Sequence, residues 1–173
     1  MVITGIGSRS TPQSILDAMS LIGTYCRENK IWVRSGHAEG ADFAFEAGSQ
    51  EFCIAYLPWD GFNKHLVSKA HQYVIKPNCH TIEITKKYHP AFDKLSYGAL
   101  ALQCRNANQV LGKNLDSPTK AVVCWTPGGR EEGGTSQAIR IAKAHNIPIF
   151  NMALTQYSDH LKVIDELKRI KKT

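Results

Sequence analysis

The sequence predicts an α/β fold with a mostly parallel sheet covered by helices on both faces. Short apolar runs alternate with segments of helical periodicity, the order that a parallel sheet produces. Each run ends in glycine, proline or both, in "VITGIG", "IWVRSG", "FCIAYLPW" and "KAVVCWTPGG". No internal repeat or linker interrupts the 173 residues, a length that suits one domain spanning 1–173 with one sizeable core.

The first run, from Val2, reads as a buried strand, and Thr11 caps the following helix with Pro12 at its first position. Ile15, Met19, Ile22 and Cys26 recur at helical spacing, so that helix has one apolar face. "IWVRSG" is the second strand, ending at Gly36, and a helix follows from about Ala41 to Gly48. The third strand stops at Pro58, and residues 59–90 read as a longer irregular stretch holding a short helix within "WDGFNKHLVSKAHQYV". A helix from about Asp93 to Leu111 is expected to carry Leu95, Leu102 and Val110 into the core. "KAVVCWTPGG" leads into a glycine loop, Thr135 opens a helix running to His145, and "IPIFNM" is the last strand. Leu161, Ile164, Leu167 and Ile170 form the inner stripe of a closing helix.

Composition sets outer bounds on function. A chain 43% hydrophobic and 21% charged is ordinary for a soluble globular protein, and no run approaches a membrane span. "MVITGIGSRS" has no basic region ahead of its apolar segment, so a cytoplasmic location without a membrane partner is expected. Five cysteines with no C-x-x-C pair predict reduced, mostly buried thiols. His65, His71, His80 and His89 have neither ligand spacing nor a Cys or carboxylate cluster around them, so no metal is expected. No other cofactor is expected either. The net charge of +6 favours an anionic partner, yet Lys162, Lys168, Arg169, Lys171 and Lys172 crowd one terminal helix. Single-stranded DNA is therefore expected to bind only weakly.

Three glycine loops follow three predicted strands: "GIGSRSTP", "RSGHAEGAD" and "TPGGREEGGT". A parallel sheet gathers all three at its carboxyl edge, where ligands of such sheets bind. Glycine lets backbone N–H groups approach and converge on an anion, and a helix starting at Thr135 adds unpaired donors and partial positive charge. None of the loops is a G-x-G-x-x-G fingerprint and no G-K-[ST] follows, which argues against a dinucleotide fold and a P-loop. The expected ligand is a phosphorylated, nucleotide-like small molecule. Its expected contacts are Gly7, Ser8 and Arg9, then Ser35, Gly36, Gly40 and Asp42, then Pro127, Gly128, Gly129, Gly133, Gly134 and Thr135.

These stretches carry a family resemblance. "SGHAEGAD" resembles the S-G-x-A-x-G-x-D motif of the DNA-processing protein A (Smf) family, and "PGGREEGGT" resembles the P-G-G-x-G-T of the "lonely guy", lysine-decarboxylase-like phosphoribohydrolases. Arg105, in "CRNANQVLG", matches the arginine that the second family places one helix earlier. The resemblance covers roughly residues 1–150, looks especially like small phage-type members, and implies a single Rossmann-like domain that binds nucleotides, commonly as a homodimer. Exposed faces of the 93–111 helix are the candidates for that contact. Two departures stand out. The hydrolase motif continues to a catalytic Glu where this chain has Ala138, and its loop carries Glu131 and Glu132 instead.

The individual candidates follow from chemistry. Arg105 can grip a phosphate bidentately, and Asn106 or Gln109 can read a base edge or a ribose hydroxyl. Arg105 and Gln109 are expected to share a helix face. Asp42 serves as a helix cap or holds a ribose hydroxyl, and Arg34 meets phosphate or pairs with Glu39. His37 can donate to a phosphate, and Trp59 and Trp125 end strands where a base could stack. If the chain cleaves an N-glycosidic bond, Glu131, Glu132 and Arg105 are the catalytic candidates.

Overall fold

A computed structural model describes residues 1–63 and 71–172. Six strands form one sheet: β1 Val2–Gly7, β2 Trp32–Ser35, β3 Cys53–Leu57, β4 His71–Val74, β5 Val122–Trp125 and β6 Ile149–Asn151. Their order is β4-β3-β2-β1-β5-β6, and every pairing is parallel. The order reverses at β1, so the chain winds outward in both directions from a central seam between β1 and β5. A crevice at the carboxyl ends of the strands is expected at such a seam.

The helices α1 Gln13–Glu28, α2 Ala41–Ser49 and α6 His160–Lys172 cover one face. There Met19, Ile22, Phe45, Val163 and Leu167 pack on Ile3, Val33 and Val123. On the other face lie α3 Cys79–Tyr88, α4 Tyr97–Leu111 and α5 Ser136–Ala144. Ala107, Val110, Ala138 and Ile141 pack there on Ile6, Val122 and Cys124. The two strand faces diverge because successive side chains alternate along each strand.

Several expectations need correction. β4 and α3 occupy part of the stretch expected to be irregular; β4 is a half-exposed edge strand, "HQYV", with no apolar run to announce it. α3 is opened by a capping box in which Asn78 accepts from the Thr81 backbone and the Thr81 side chain bonds back to Asn78. The short helix expected in 59–74 falls partly on 64–70, outside the described residues, as does His65. α4 begins at Tyr97 with Ser96 as its cap, after a 3-10 turn over Phe92–Lys94. Thr11 does not cap α1: its hydroxyl donates to the Ser8 carbonyl at 2.6 Å. Leu161 is exposed, so Val163 takes its place in the inner stripe of α6.

α4 departs furthest from an ordinary amphipathic helix. Gln103, Arg105, Asn106, Asn108 and Gln109 are all buried along with Val110, which leaves little of its length free to meet a second copy. Leu95 is only half-buried, and Leu102 faces the cleft described below. Four cysteines are buried, Cys79 is exposed, and all five are free.

Arg34 closes this helix from beneath. Its guanidinium donates to the carbonyls of Val110 (3.3 Å) and Ser117 (2.7 Å), so it meets neither phosphate nor Glu39. A buried cation suits the negative end of a helix, whose last carbonyls lack intrahelical partners. Arg34→Met removes both charge-assisted bonds and leaves the Val110 carbonyl only the Thr119 N–H, at 2.8 Å. Urea denaturation should show a loss of about 2–4 kcal/mol.

Candidate functional site

All three glycine loops reach the seam between β1 and β5. A cleft of about 400 Å³ opens there, lined by Gly7, Ser8 and Arg9 from the first loop and by Ala38 and Asp42 from the second. Gly134 and Thr135 line it from the third, and Ala99, Leu102, Gln103, Arg105 and Asn106 from α4. α4 enters because its N-terminal half lies at the carboxyl edge. One residue every 1.5 Å carries Gln109 about 6 Å deeper than Arg105. Gln109 therefore lies outside the lining, its carbonyl accepting from the Thr4 hydroxyl at 2.6 Å.

Arg105 and Asp42 form the charged centre. Both are buried, 4% and 2% exposed, and Arg105 Nη1 lies 3.6 Å from Asp42 Oδ2. That separation is an ion pair but too long for a good hydrogen bond. Arg105 Nε and Nη1 have no hydrogen-bond partner among the described residues, and neither has Asp42 Oδ1. The guanidinium carbon lies 5.8 Å from the centre of the Phe62 ring, which supports it from the side. Asp42 Oδ2 is fixed from behind by the backbone N–H groups of Gly36 (3.2 Å) and Ala38 (3.3 Å). This is more than a helix cap, because Gly40 and not Asp42 holds the cap position of α2.

Burial dominates the electrostatics of this pair. It pulls Arg105 down from the usual guanidinium value against the attraction of Asp42 and Glu46. It pushes the Asp42 carboxyl up to about 7, outweighing the Arg105 charge and the Ala38 and Gly36 hydrogen bonds, with Glu46 adding a further upward push. In the unfolded chain the same carboxyl titrates near 3.9. Between about pH 4 and pH 7 the unfolded chain has therefore released a proton that the folded chain still holds. Stability contributed by this group is full below about pH 4, falls as pH rises, and levels off above about 7. Relative to Asp42→Asn, the wild type should lose on the order of 4 kcal/mol across that window in urea denaturation.

The structure separates the remaining candidates. Asn106 lines the cleft and ties its walls together, donating to the Gly134 carbonyl at 2.9 Å. Gln103, which sequence reasoning missed, sits one turn earlier on the same face, its side-chain oxygen accepting from Asn106 at 3.2 Å. Its spacing of three from Asn106 was the available signal. Ser35 does not face the cleft; it donates to Glu46 Oε1 at 2.6 Å. His37 is likewise turned away, its Nδ1 2.8 Å from Glu46 Oε2. Gly40 packs behind the first loop, where an added Cβ would lie 3.3 Å from the Ser8 carbonyl oxygen and 3.4 Å from Arg9 Cα.

Most of the third loop stays outside the lining. Pro127–Gly129 form a 3-10 turn, and neither they nor Gly133 line the cleft. Glu131 pairs with Lys143 and Glu132 with Arg130, both on the surface. Trp125 is half-buried against the core, while Trp59 remains exposed and makes an edge contact with Phe62. Ala138 is wholly buried in the apolar cluster between α5 and the sheet. The carboxylate in the cleft is that of Asp42.

No family model matches the sequence, and no curated protein matches it either. Among solved structures the chain is similar to DNA processing protein A from Helicobacter pylori, with a TM-score of 0.55 and 12% sequence identity. The likeness covers 98% of this chain and 72% of that one. At that identity it establishes a Rossmann-like α/β fold. The solved structure describes the single-stranded DNA binding mode of the Helicobacter protein. Among the described residues no helix is long and apolar enough to cross a membrane.

Proposed function

We propose that the chain binds a phosphorylated, nucleotide-like ligand in the cleft at the carboxyl edge of its sheet. The observation that carries this reading is the buried Arg105 guanidinium, with Nε and Nη1 lacking hydrogen-bond partners among the described residues. Buried donors of a charged group are costly to leave unpaired, and a phosphate oxygen is a strong acceptor for them. Gly134 and Thr135 set the N-terminus of α5 against the same space, adding backbone donors and a partial positive charge. The cleft volume falls within the range of small-ligand sites. Asn106, Gln103 and Ser8 supply the polar contacts that would orient a sugar or base.

Gly134 offers a clean test. An added Cβ meets nothing within 4 Å and the backbone there is not left-handed, so Gly134→Ala leaves the fold intact. The new methyl stands at the cleft wall. In calorimetry with a panel of nucleoside 5′-monophosphates, binding should weaken by at least about 1 kcal/mol. Unchanged affinity removes this loop from the site.

A second reading, binding of single-stranded DNA, is favoured by the fold likeness to the Helicobacter protein. The basic tail gives it little support: Lys162, Lys168 and Arg169 already face Asp159, Asp165 and Glu166. Binding through phosphate contacts alone should fade with salt, with a log–log slope near −0.7 per contact. Tight, salt-resistant binding of an oligonucleotide in the same calorimeter would put this reading first. Release of free base, as in phosphoribohydrolases, has less support, with Ala138 buried and both loop glutamates paired outside the cleft. Homodimerisation, a cytoplasmic location and kinship with small phage-type proteins rest on composition and motif resemblance alone.

A further inference from the structure

Building on the ligand reading above, we propose that Asp42 determines specificity by setting the charge of the group that Arg105 accepts. While ionised it admits a singly charged phosphodiester; a doubly charged terminal phosphate is admitted well only when Asp42 holds a proton. The question of nucleotide against nucleic-acid phosphate then turns on one side chain.

The geometry leaves Asp42 little alternative role. Its Oδ2 is held by two backbone donors and lies 3.6 Å from Arg105 Nη1, so any anion on that guanidinium sits beside the carboxylate. Its Oδ1 has no hydrogen-bond partner among the described residues, although the residue is almost wholly buried. An ionised Oδ1 repels a phosphate oxygen at hydrogen-bond distance, whereas a protonated one can donate to it. Like charges a few ångströms apart in a buried site cannot both persist cheaply.

The other charged groups around Asp42 are accounted for. Arg9, from the loop after β1, lines the cleft and is exposed. Glu46, one turn along α2, accepts from Ser35 and from the His37 backbone and pairs with the His37 ring, and its charge acts on both Asp42 and Arg105. Protonating Asp42 raises the net charge of the cleft by one, whatever Glu46 contributes. That is the difference in charge between a terminal phosphate and a phosphodiester. The Asp42 carboxyl, raised to about 7 chiefly by burial, changes state within an accessible range.

Probes of fixed charge isolate the effect, because a nucleoside monophosphate itself titrates near pH 6. Sulfate is doubly charged throughout, and a dinucleoside monophosphate, with one phosphodiester and no terminal phosphate, is singly charged throughout. Calorimetry on the full chain at pH 5.5 and pH 8.5 gives the ratio of the two affinities. In the wild type, sulfate should lose about tenfold or more relative to the diester as pH rises. In Asp42→Asn, which preserves shape, the ratio should stay within about twofold across the same range. A ratio independent of pH in the wild type overturns the proposal without needing any variant to fold. An equal slope in Asp42→Asn overturns it by assigning the effect to another group. Binding of neither probe to either protein removes the ligand reading itself, and this proposal with it.

Discussion

Replacing Arg105 with methionine is expected to weaken binding of phosphorylated ligands at least about 30-fold while leaving the fold as stable as before. Truncating one partner of a buried, charge-assisted contact costs about 2–5 kcal/mol of affinity, or about 30- to 5,000-fold. The stability side follows from the same burial. Among the described residues Nε and Nη1 find no hydrogen-bond partner, and Nη1 lies at ion-pair rather than hydrogen-bond distance from Asp42. Methionine keeps most of the apolar stem and removes that cost. Asp42, already raised to about 7, loses its attractive partner and takes a proton. A buried pair exchanged for an apolar side chain and a neutral acid is often no less stable. At pH 6 the urea midpoint should therefore match or exceed that of the wild type. A large drop would show that the guanidinium is structural, and undiminished affinity would place the phosphate elsewhere.

Gly36→Ala should have the second-largest effect, and by a different route. A Cβ on Gly36 would lie 1.3 Å from Arg105 Nη1, 2.4 Å from its Cζ and 2.8 Å from Asp42 Oδ2. The Gly36 backbone is not left-handed, so alanine is excluded by space alone. Arg105 must leave its seat, and ligand affinity should fall nearly as far as in Arg105→Met. Forcing extra volume into a packed region also costs about 1–3 kcal/mol of stability. The double variant Gly36→Ala with Arg105→Ala removes both the intruding methyl and the side chain it strikes. It should recover part of that loss, a coupling of about 0.5–3 kcal/mol in denaturation. Simple additivity would mean that the two residues do not share a seat.

The alternating pattern made the parallel sheet legible, and with it the edge where three loops converge. Arg105 drew notice through its match to the arginine of the phosphoribohydrolase motif, because an arginine among Gln and Asn on a helix is by itself most often a surface residue. What pattern does not carry is orientation within a loop. Only Gly134 and Thr135 of the third loop line the cleft, while its glutamates find surface cations. Both outcomes fit the same glycine-rich spelling. Asp42 read as a cap because its position in the first turn of α2 suits that role, and its tie to Arg105 spans two distant elements. Gly36 drew notice for backbone freedom, whereas its use is to leave room for a guanidinium 69 positions further along the chain. β4 escaped notice because an edge strand needs no continuous apolar run.

Whether phosphate binds beside Arg105, at the seam between β1 and β5, can be read from an amide-resolved NMR titration of the 15N-labelled chain with a nucleoside 5′-monophosphate. Saturable shifts are expected at Ser8, Ala38, Asn106, Gly134 and Thr135, all of which lie on the cleft wall. These shifts should shrink in Arg105→Met. Shifts confined to Lys168–Lys172 of α6, or saturable binding that leaves those five amides unmoved, would contradict binding beside Arg105.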